Sequence, residues 1–470
     1  MFAVNLNRAN YEYDVHSIVK AFWPEEQVSV LTPETKEEKR AELETQVRLD
    51  IMLQDEGAVI TVGEETYEWI FGGERNRVVP GDTYKDGFKR FLYRTLCAVT
   101  GKTLPWGNLT GIRPTKIAYG LLDEGKNDEE IVSFLQEKHY VSDEKALLSI
   151  DIAKRERELL KDVHYEGGYS LYIGIPFCPT TCLYCSFTSY PIFSYRKVVD
   201  DYVDCVIKEM EYTAKRYAHK ILDSVYIGGG TPTTLEPAQL DKLLGRLKEM
   251  FDFSTVKEFT VEAGRADSIT REKLEVLKKH GVGRISVNPQ TMKQETLNII
   301  GRKASVEQVL EAYKLAREVG FDNINMDLIL GLPGEMEEDV QNTIDRVVEL
   351  DPDSLTVHSL AIKRASRLSQ WIRENGVSTL NNTDGTMRIA AEGAKKLGME
   401  PYYLYRQKNM SGNFENVGYA KPGKLGLYNI LIMEEKQTIV ALGAGASTKA
   451  VYPDGRIERC ENVKDVNNYI

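Results

Sequence analysis

Short apolar runs and longer amphipathic segments alternate along the middle of the chain. Between residue 171 and about residue 362, six runs are rich in Val and Ile: LYIGIP, SVYIGGG, EFTVEAG, RISVNPQ, NINMDLIL and SLTVHSL. The segments between them carry apolar residues at helical spacing. Such runs are typical of buried parallel strands, and repeated strand–helix units with short loops predict a parallel sheet with helices outside it. The pattern therefore predicts an α/β fold.

Six units fit a partial (β/α)6 barrel of TIM-like form, to which we assign residues 166–380. Active sites of such barrels form at the carboxyl ends of the strands. Residues 1–165 predict an N-terminal α+β domain, in which RAELETQVRLDIML is interpreted as a strand and YKDGFKRFLYRTLCAVTG as a helix that ends at Gly101. Residues 381–470 predict a C-terminal α+β cap. Its predicted strands are YYLYRQ, LYNILIM and TIVALGAGAS.

The composition is that of a globular protein and limits its partners. The 470 residues carry a net charge of −11, which argues against a nucleic-acid partner, because proteins that bind nucleic acid usually have a basic face. No run approaches the roughly 18 apolar residues of a membrane span. The first residues lack the long apolar core of a signal peptide. We therefore expect a cytoplasmic protein with no membrane span.

Half of the cysteines lie on one loop, directly after the first predicted strand of the barrel. They have the spacing C-x3-C-x2-C and are Cys178, Cys182 and Cys185. Three thiolates can bind three irons of a cubane cluster and leave the fourth iron open, whereas electron-transfer clusters use four cysteines. Zinc is the alternative, but it usually takes four ligands, and this loop has neither a nearby histidine nor a second cysteine pair. The spacing favours a [4Fe–4S] cluster. The other three cysteines are scattered and are predicted not to bind it: Cys97, Cys205 and Cys460.

Unusual residues follow at the ends of the later predicted strands. Three glycines, 228 to 230, precede Thr231 one strand–helix unit after the cysteines, and glycine lets the backbone approach a ligand closely; the alternative is a tight strand-to-helix turn. Glu262 ends the third strand, where a carboxylate can accept hydrogen bonds from an ammonium group or a ribose. Its apolar neighbours make the alternative, a surface glutamate, less favourable. Gln290 ends the fourth strand, and Asp327 lies in the fifth.

The segment IPFCPTTCLYCSF resembles the radical S-adenosylmethionine (SAM) superfamily and, within it, the coproporphyrinogen dehydrogenase family of the HemZ type. The resemblance implies that the open iron binds SAM and that the reduced cluster cleaves it to a 5′-deoxyadenosyl radical. It also implies oxygen-independent oxidative decarboxylation of coproporphyrinogen III to protoporphyrinogen IX, in haem biosynthesis. The partners would be a porphyrinogen or haem substrate and an electron donor such as flavodoxin or ferredoxin.

The resemblance also implies a set of SAM-binding residues, and it identifies no catalytic side chain. Arg302 would pair with a carboxylate, since a guanidinium binds one through two hydrogen bonds. Asp327 would bind ribose hydroxyls, Tyr172 would pack against SAM, and Tyr184 would pack near adenine. The whole set is Tyr172, Tyr184, Gly228, Gly229, Gly230, Thr231, Glu262, Gln290, Arg302, Asp327 and Ala361. His358, which ends the sixth strand, is interpreted as structural, as a lone histidine often is.

One position departs from the pattern of the resembled dehydrogenases. They carry a fourth cysteine two residues after the third, whereas this chain has Phe187 there, as related haem chaperones do. Two alternative functions on the same scaffold therefore stay open. One is a haem-binding chaperone that passes haem to a client protein. The other is a radical SAM methyltransferase or haem-degrading enzyme.

Overall fold

A computed structural model describes residues 2–24, 26–73, 81–111, 113–363, 366–376, 380–407, 410 and 414–470. The chain divides into two compact units. The first contains residues 1–154 and 405–415, and the second contains residues 155–404 and 416–470. The division of the chain at residues 165 and 380 stays a prediction. None of the described helices has both the length and the apolar character needed to cross a membrane.

The first unit is a five-stranded sheet with helices. Its elements are β1 Phe2–Leu6, α1 Glu12–Phe22, β2 Val28–Leu31, α2 Glu37–Leu43, β3 Val47–Leu53, β4 Gly57–Val62, β5 Glu65–Ile70, α3 Tyr84–Thr100, α4 Thr115–Asp123, α5 Asp128–His139 and α6 Asp143–Leu159, the last of which continues into the second unit. The strand order is β2-β1-β3-β4-β5. Apolar side chains of the sheet, α1 and α3 form one core. Helix α3 ends at Gly101 with φ of 66°, as the sequence predicts.

One strand prediction in this unit is wrong over its first half. The segment RAELETQVRLDIML begins inside helix α2, and only its second half forms β3. The residues of α2 are EEKRAEL, which are mostly strong helix formers. In β3, by contrast, Leu49, Ile51 and Leu53 alternate with exposed residues and enter the core. The period of the apolar residues therefore changes within the segment.

The second unit contains the predicted strand–helix repeat. Its first part consists of β6 Gly168–Ile175, β7 Phe177–Cys178, β8 Tyr190–Pro191, α7 Ile192–Tyr195, α8 Val199–Arg216, β9 Ile221–Gly229, α9 Pro237–Met250, β10 Glu258–Gly264, α10 Arg271–Lys279, β11 Arg284–Val287, α11 Gln294–Ile299, α12 Val306–Glu318, β12 Ile324–Leu330, α13 Glu337–Leu350 and β13 Ser354–Ser359. Strands β6 and β9 to β13 pair in parallel and in chain order. The predicted α/β fold with six parallel strands is confirmed.

The C-terminal part adds strands to both edges of this sheet. Its elements are α14 Leu368–Asn375, α15 Asp384–Lys396, β14 Glu400–Tyr405, β15 Asn416–Ala420, α16 Leu427–Glu434, β16 Ile439–Leu442, β17 Ser447–Val451, β18 Ile457–Glu461 and α17 Val466–Tyr469. The strand order is β14-β15-β13-β12-β11-β10-β9-β6-β16-β17-β18. The prediction of a strand at LYNILIM is wrong, because this run forms α16. A short apolar run has no period that distinguishes a strand from a buried helix.

Successive side chains of a strand point to opposite sides, so the six parallel strands form a sheet with two faces. One face is mostly apolar and the other is mostly polar. We call the second one the polar face. It includes Ser170, Tyr172, Ser224, Tyr226, Glu258, Thr260, Glu262, Arg284, Asn325, Asp327, Ser354 and Thr356. Hydrogen bonds join these side chains across strands, for example from Ser224 Oγ to Ser170 Oγ at 2.8 Å and from Ser354 Oγ to Asn325 Oδ1 at 3.0 Å. Helix α16 lies on this face, where its Tyr428 stacks on Tyr226.

Candidate cofactor site

The three-cysteine loop follows the carboxyl end of β6. Cys178 lies in the short strand β7, which pairs with β8. Cys185 N donates a hydrogen bond to Cys182 O at 3.2 Å, and Leu183 N donates one to Ile300 O at 2.9 Å. Backbone hydrogen bonds thus hold the loop at the edge of the sheet where the sequence predicts the site.

Each cysteine sulfur has a polar side chain beside it. Thr231 Oγ1 donates to Cys178 Sγ at 3.4 Å, Arg265 Nη1 donates to Cys182 Sγ at 3.7 Å, and Ser189 Oγ lies 4.0 Å from Cys185 Sγ. Burial raises the pKa of the Cys178 thiol to about 11, and the neighbouring sulfurs of Cys182 and Cys185 also raise it. A bound metal lowers the pKa of such a thiol and binds it as the thiolate. This environment fits a metal cluster.

Within the described part of the chain, no three His, Cys, Asp or Glu side chains are close enough to coordinate one metal ion. A cubane cluster does not require this, because each cysteine binds a different iron. Three cysteines on one loop are the donor set that such a cluster would use. The remaining cysteines lie elsewhere: Cys97 in α3, Cys205 in α8 and the exposed Cys460 in β18.

The glycines after β9 lie where strand ends approach each other closely. A Cβ on Gly228 would be 2.9 Å from Glu262 Cδ, and one on Gly230 would be 2.6 Å from the backbone oxygen of Phe177. Gly229 has φ of 102°, which an L side chain rarely adopts. Thr231, which follows, is buried, and its N–H donates to Phe177 O at 2.7 Å. The glycines therefore bring the end of β9 against the cysteine loop and Glu262.

Glu262 points into the polar face rather than to the surface. Tyr226 Oη donates to Glu262 Oε1 at 2.5 Å, and burial raises the pKa of Glu262 to about 7. The rings of Tyr226 and Tyr428 stack with centroids 4.4 Å apart, and Tyr172 stacks beside both. A buried carboxyl group with a raised pKa thus lies next to three stacked tyrosine rings.

The ends of β11 and β12 are joined through Gln290. Its N–H donates to Asp327 O at 2.9 Å, and its carbonyl accepts from Ile329 N at 3.0 Å. Gln290 has φ of 68°, a conformation that costs a non-glycine residue ~1–2 kcal/mol. Its Oε1 is buried and has no hydrogen-bond partner among the described residues. Backbone strain and an unsatisfied polar atom are both typical of residues held ready for a ligand.

Arg302 lies beside Tyr184 of the cysteine loop. Its Nη2 donates to Tyr184 Oη at 3.3 Å, and its Nη1 donates to Asn288 O. Its Nε is buried and lacks a partner among the residues that the structure describes. Asp327 Oδ1 accepts from Asn325 Nδ2 at 2.7 Å. The structure thus joins Tyr184 to Arg302, and Gln290 to Asp327.

The remaining predicted residues lie at the same carboxyl edge of the sheet. Ala361 follows β13 by two residues and is half-buried. His358 lies near Asp327, and burial lowers the pKa of its imidazole. Phe187 lies on the cysteine loop, and 76% of its surface is exposed.

Three residues at this edge were not predicted from the sequence. Tyr226 could have been found by alternation, because it precedes Gly228 by two positions on the same strand face. Tyr428 belongs to the segment that we predicted as a strand. No pattern indicated Arg265, whose contact with Cys182 joins residues 83 positions apart.

A buried carboxyl group links the turn after Gln290 to the loop after β12. Glu335 is 2% exposed, and its Oε1 accepts from Thr291 Oγ1 at 2.5 Å. Lys293 Nζ donates to the carbonyl of Gly334 at 3.0 Å and supports the same link. Burial raises the pKa of Glu335 from 4.5 to about 7, although the threonine hydrogen bonds lower it. Between pH 4.5 and about 7, the folded protein therefore keeps Glu335 protonated, whereas the unfolded chain releases this proton.

We expect this proton to make the stability depend on pH. Because the folded pKa is above the unfolded value, the protein loses stability as pH rises from 4.5 to about 7 and stays less stable above that. The loss attributable to Glu335 is about 3 kcal/mol. Glu335→Gln mimics the protonated side chain and should unfold at a higher denaturant concentration than the wild type at about pH 8, but not at about pH 5. An equal difference in unfolding midpoint between variant and wild type at the two pH values would contradict the prediction. Glu262 titrates in the same range but is present in both proteins, so its contribution cancels in the comparison.

Comparison with known proteins identifies relatives of this chain. The model of the radical SAM superfamily matches residues 172–347. The chain is 41% identical over 403 residues to the oxygen-independent coproporphyrinogen-III oxidase-like protein HemZ of Bacillus subtilis, covering 83% of this chain and 80% of that protein. It is 38% identical over 302 residues to the heme chaperone HemW of the same organism, covering 64% of this chain and 75% of that protein.

Among solved structures, coproporphyrinogen III oxidase (HemN) from Escherichia coli is similar, with a TM-score of 0.52 and 23% sequence identity. The match covers 69% of this chain and 70% of that one. At this level of identity the likeness concerns the fold.

Proposed function

The chain belongs to the radical SAM superfamily and, within it, to the family of the HemZ-type coproporphyrinogen oxidase-like proteins, and from this premise we propose that it decarboxylates coproporphyrinogen III oxidatively, without oxygen, to protoporphyrinogen IX. Like its superfamily, it uses a [4Fe–4S] cluster and SAM. When bound, these two groups supply a carbon-centred radical that removes a hydrogen atom from the substrate. The protein would work in the cytoplasm, where an oxygen-sensitive cluster is protected.

Cys178, Cys182 and Cys185 would hold the cluster. They are three thiols on one loop with polar groups beside the sulfurs, and no fourth cysteine lies on that loop. Three ligands leave one iron available to SAM, whereas four cysteines would close the cluster.

The observation that carries the proposed SAM binding is a pair of buried polar atoms without a hydrogen-bond partner among the described residues, Gln290 Oε1 and Arg302 Nε. An unsatisfied buried polar atom costs about 1–3 kcal/mol, which a ligand that binds it would recover. Arg302 is suited to the carboxylate of the methionyl part of SAM. Gln290 Oε1 can only accept a hydrogen bond, which suits a hydroxyl or an ammonium group.

The other SAM contacts would come from the polar face and the strand ends. Glu262 would accept from the ammonium group, and Asp327 would accept from the ribose hydroxyls. The glycines would let backbone carbonyls approach the ligand closely. The complete proposed set is Tyr172, Tyr184, Gly228, Gly229, Gly230, Thr231, Glu262, Gln290, Arg302, Asp327 and Ala361.

The substrate assignment rests on the relatives. For each of two propionate side chains, one hydrogen atom would pass to the deoxyadenosyl group of SAM, one electron would pass to an external one-electron acceptor, and the loss of carbon dioxide would leave a vinyl group. The chain would position the propionate near SAM and exclude water from the radical. An electron donor such as flavodoxin or ferredoxin would reduce the protein before each round.

A haem chaperone is the second candidate. Phe187 occupies the position at which the resembled dehydrogenases carry a fourth cysteine, and its ring is largely exposed. Phenylalanine can neither donate a proton nor coordinate a metal. The 38% identity to the heme chaperone HemW favours the same function. In that case the protein would bind haem stoichiometrically and would not convert coproporphyrinogen.

One anaerobic experiment separates the two functions. The reconstituted protein is incubated with SAM, a reductant and coproporphyrinogen III, and the porphyrin mass, 5′-deoxyadenosine and carbon dioxide are measured. The proposal predicts that 5′-deoxyadenosine and carbon dioxide both accumulate in proportion to the vinyl groups formed. If the rate of SAM cleavage does not depend on added coproporphyrinogen and the protein binds haem tightly, the result would contradict the proposed decarboxylation and support a haem chaperone.

We expect Asp327→Asn to weaken SAM binding about tenfold or more, because a charge-assisted hydrogen bond to ribose is lost. Stability should change little, since asparagine can still accept a hydrogen bond from Asn325. Calorimetric titration of the reconstituted protein measures the Kd. Asp322→Asn is the matched control, because Asp322 is exposed and pairs only loosely with Lys424 at 3.5 Å. A normal Kd in Asp327→Asn, with a lowered unfolding midpoint, would indicate a structural role.

A further inference from the structure

A buried arginine lies against the middle cysteine of the loop. Arg265 follows β10, is 4% exposed, and its Nη1 donates to Cys182 Sγ at 3.7 Å. The same Nη1 donates to the carbonyl and the hydroxyl of Thr180, each at 2.9 Å. Thr180 Oγ1 in turn donates to Gly301 O at 2.8 Å. The guanidinium is therefore fixed against the loop by more than one partner.

The other edge of the guanidinium binds a carboxylate. Arg265 Nε and Nη2 donate to the two oxygens of Asp267 at 3.0 and 2.6 Å, a bidentate pair. Such a pair fixes both the orientation and the charge of the arginine. Asp267 therefore holds Nη1 toward Cys182, and its negative charge opposes that of the guanidinium.

We propose that Arg265 is a positioning residue that raises the reduction potential of the cluster by donating a hydrogen bond to the sulfur of Cys182, an inference that rests on the proposed ligation by the three cysteines. One electron enters the cluster from an external reductant, and no bond forms or breaks. The added electron increases the negative charge on the sulfurs, so that a donor beside one of them stabilises the reduced state more than the oxidised state. Asp267 limits this effect, because its charge opposes that of Arg265.

The proposal predicts opposite shifts in two variants. Arg265→Gln removes the charged donor, and the equilibrium constant for reduction should fall about tenfold, which is ~59 mV for a one-electron couple. Asp267→Asn leaves the guanidinium anchored on Thr180 but without its counter-charge, and the midpoint potential should rise. Arg271→Gln is the matched control and should show no shift, because Arg271 is exposed and pairs with Glu318.

The measurement is an anaerobic redox titration followed by electron paramagnetic resonance, without coproporphyrinogen, on preparations with wild-type iron content. Shifts of the midpoint potential in the same direction in both variants, or no shift in either, would overturn the inference. An arginine with only a structural role would not produce shifts in opposite directions. If Arg265→Gln retains no iron, Asp267→Asn decides alone, and an unchanged or lowered potential overturns the proposal. Full iron retention in Cys182→Ala would instead refute the proposed ligation by the three cysteines. If the protein does not convert coproporphyrinogen, the midpoint potentials of both variants can still be measured, so that the two proposals can fail separately.

Discussion

Cys182→Ala should retain no intact [4Fe–4S] cluster after anaerobic reconstitution, and SAM cleavage should fall to background. Cys182 is the most buried of the three loop cysteines, and its sulfur is the one that Arg265 contacts. With one of three thiolates missing, a second iron loses its protein ligand. Iron and sulfide per chain, the visible absorption spectrum and the yield of 5′-deoxyadenosine measure the loss.

The matched control is Cys205→Ala. Cys205 lies outside the loop, in α8, where its thiol donates to the carbonyl of Ile470 at 3.7 Å. This variant should bind the cluster as the wild type does. Full iron content and a normal spectrum in Cys182→Ala, or loss of the cluster in Cys205→Ala, would show that the ligand assignment is wrong.

Gly230→Ala should disrupt the site through a backbone clash. The added methyl group would lie 2.6 Å from Phe177 O and 2.8 Å from Ile175 O, and neither oxygen can move without the strand that carries it. Overpacking of this kind costs about 1–3 kcal/mol. Because Phe177 precedes Cys178, we expect lower iron retention and a weaker SAM affinity as well as a lower denaturation midpoint.

Gly283→Ala serves as its control. Gly283 has no atom within 4 Å of the position that a Cβ would take, and it precedes β11 at the opposite, amino-terminal end of the strand. Its effect on unfolding should stay within about 0.5 kcal/mol, with normal iron content and SAM affinity. If Gly230→Ala behaved like Gly283→Ala, the close approach of β9 to the cysteine loop would not matter for the cofactors.

The sequence alone determined the parts of this protein that depend on neighbours in the chain. The strand–helix repeat was predictable, because the apolar period changes between each strand and the following helix. The cysteine spacing likewise predicted an iron–sulfur loop, since three thiolates within eight residues must lie close together. Gly101 ended its helix as expected, because a left-handed residue at this place favours glycine.

Tertiary structure decided which distant residues meet at the site. The apolar run LYNILIM is compatible with either a strand or a helix, and only packing on the polar face makes it α16 and places Tyr428 against Tyr226. The contact between Arg265 and Cys182 has no signal in the sequence, because an arginine near a strand end is ordinarily a surface charge. The left-handed backbone of Gln290 is likewise imposed by its hydrogen bonds to β12. Local patterns specify the elements, whereas burial and hydrogen bonding between distant segments select the partners of each side chain.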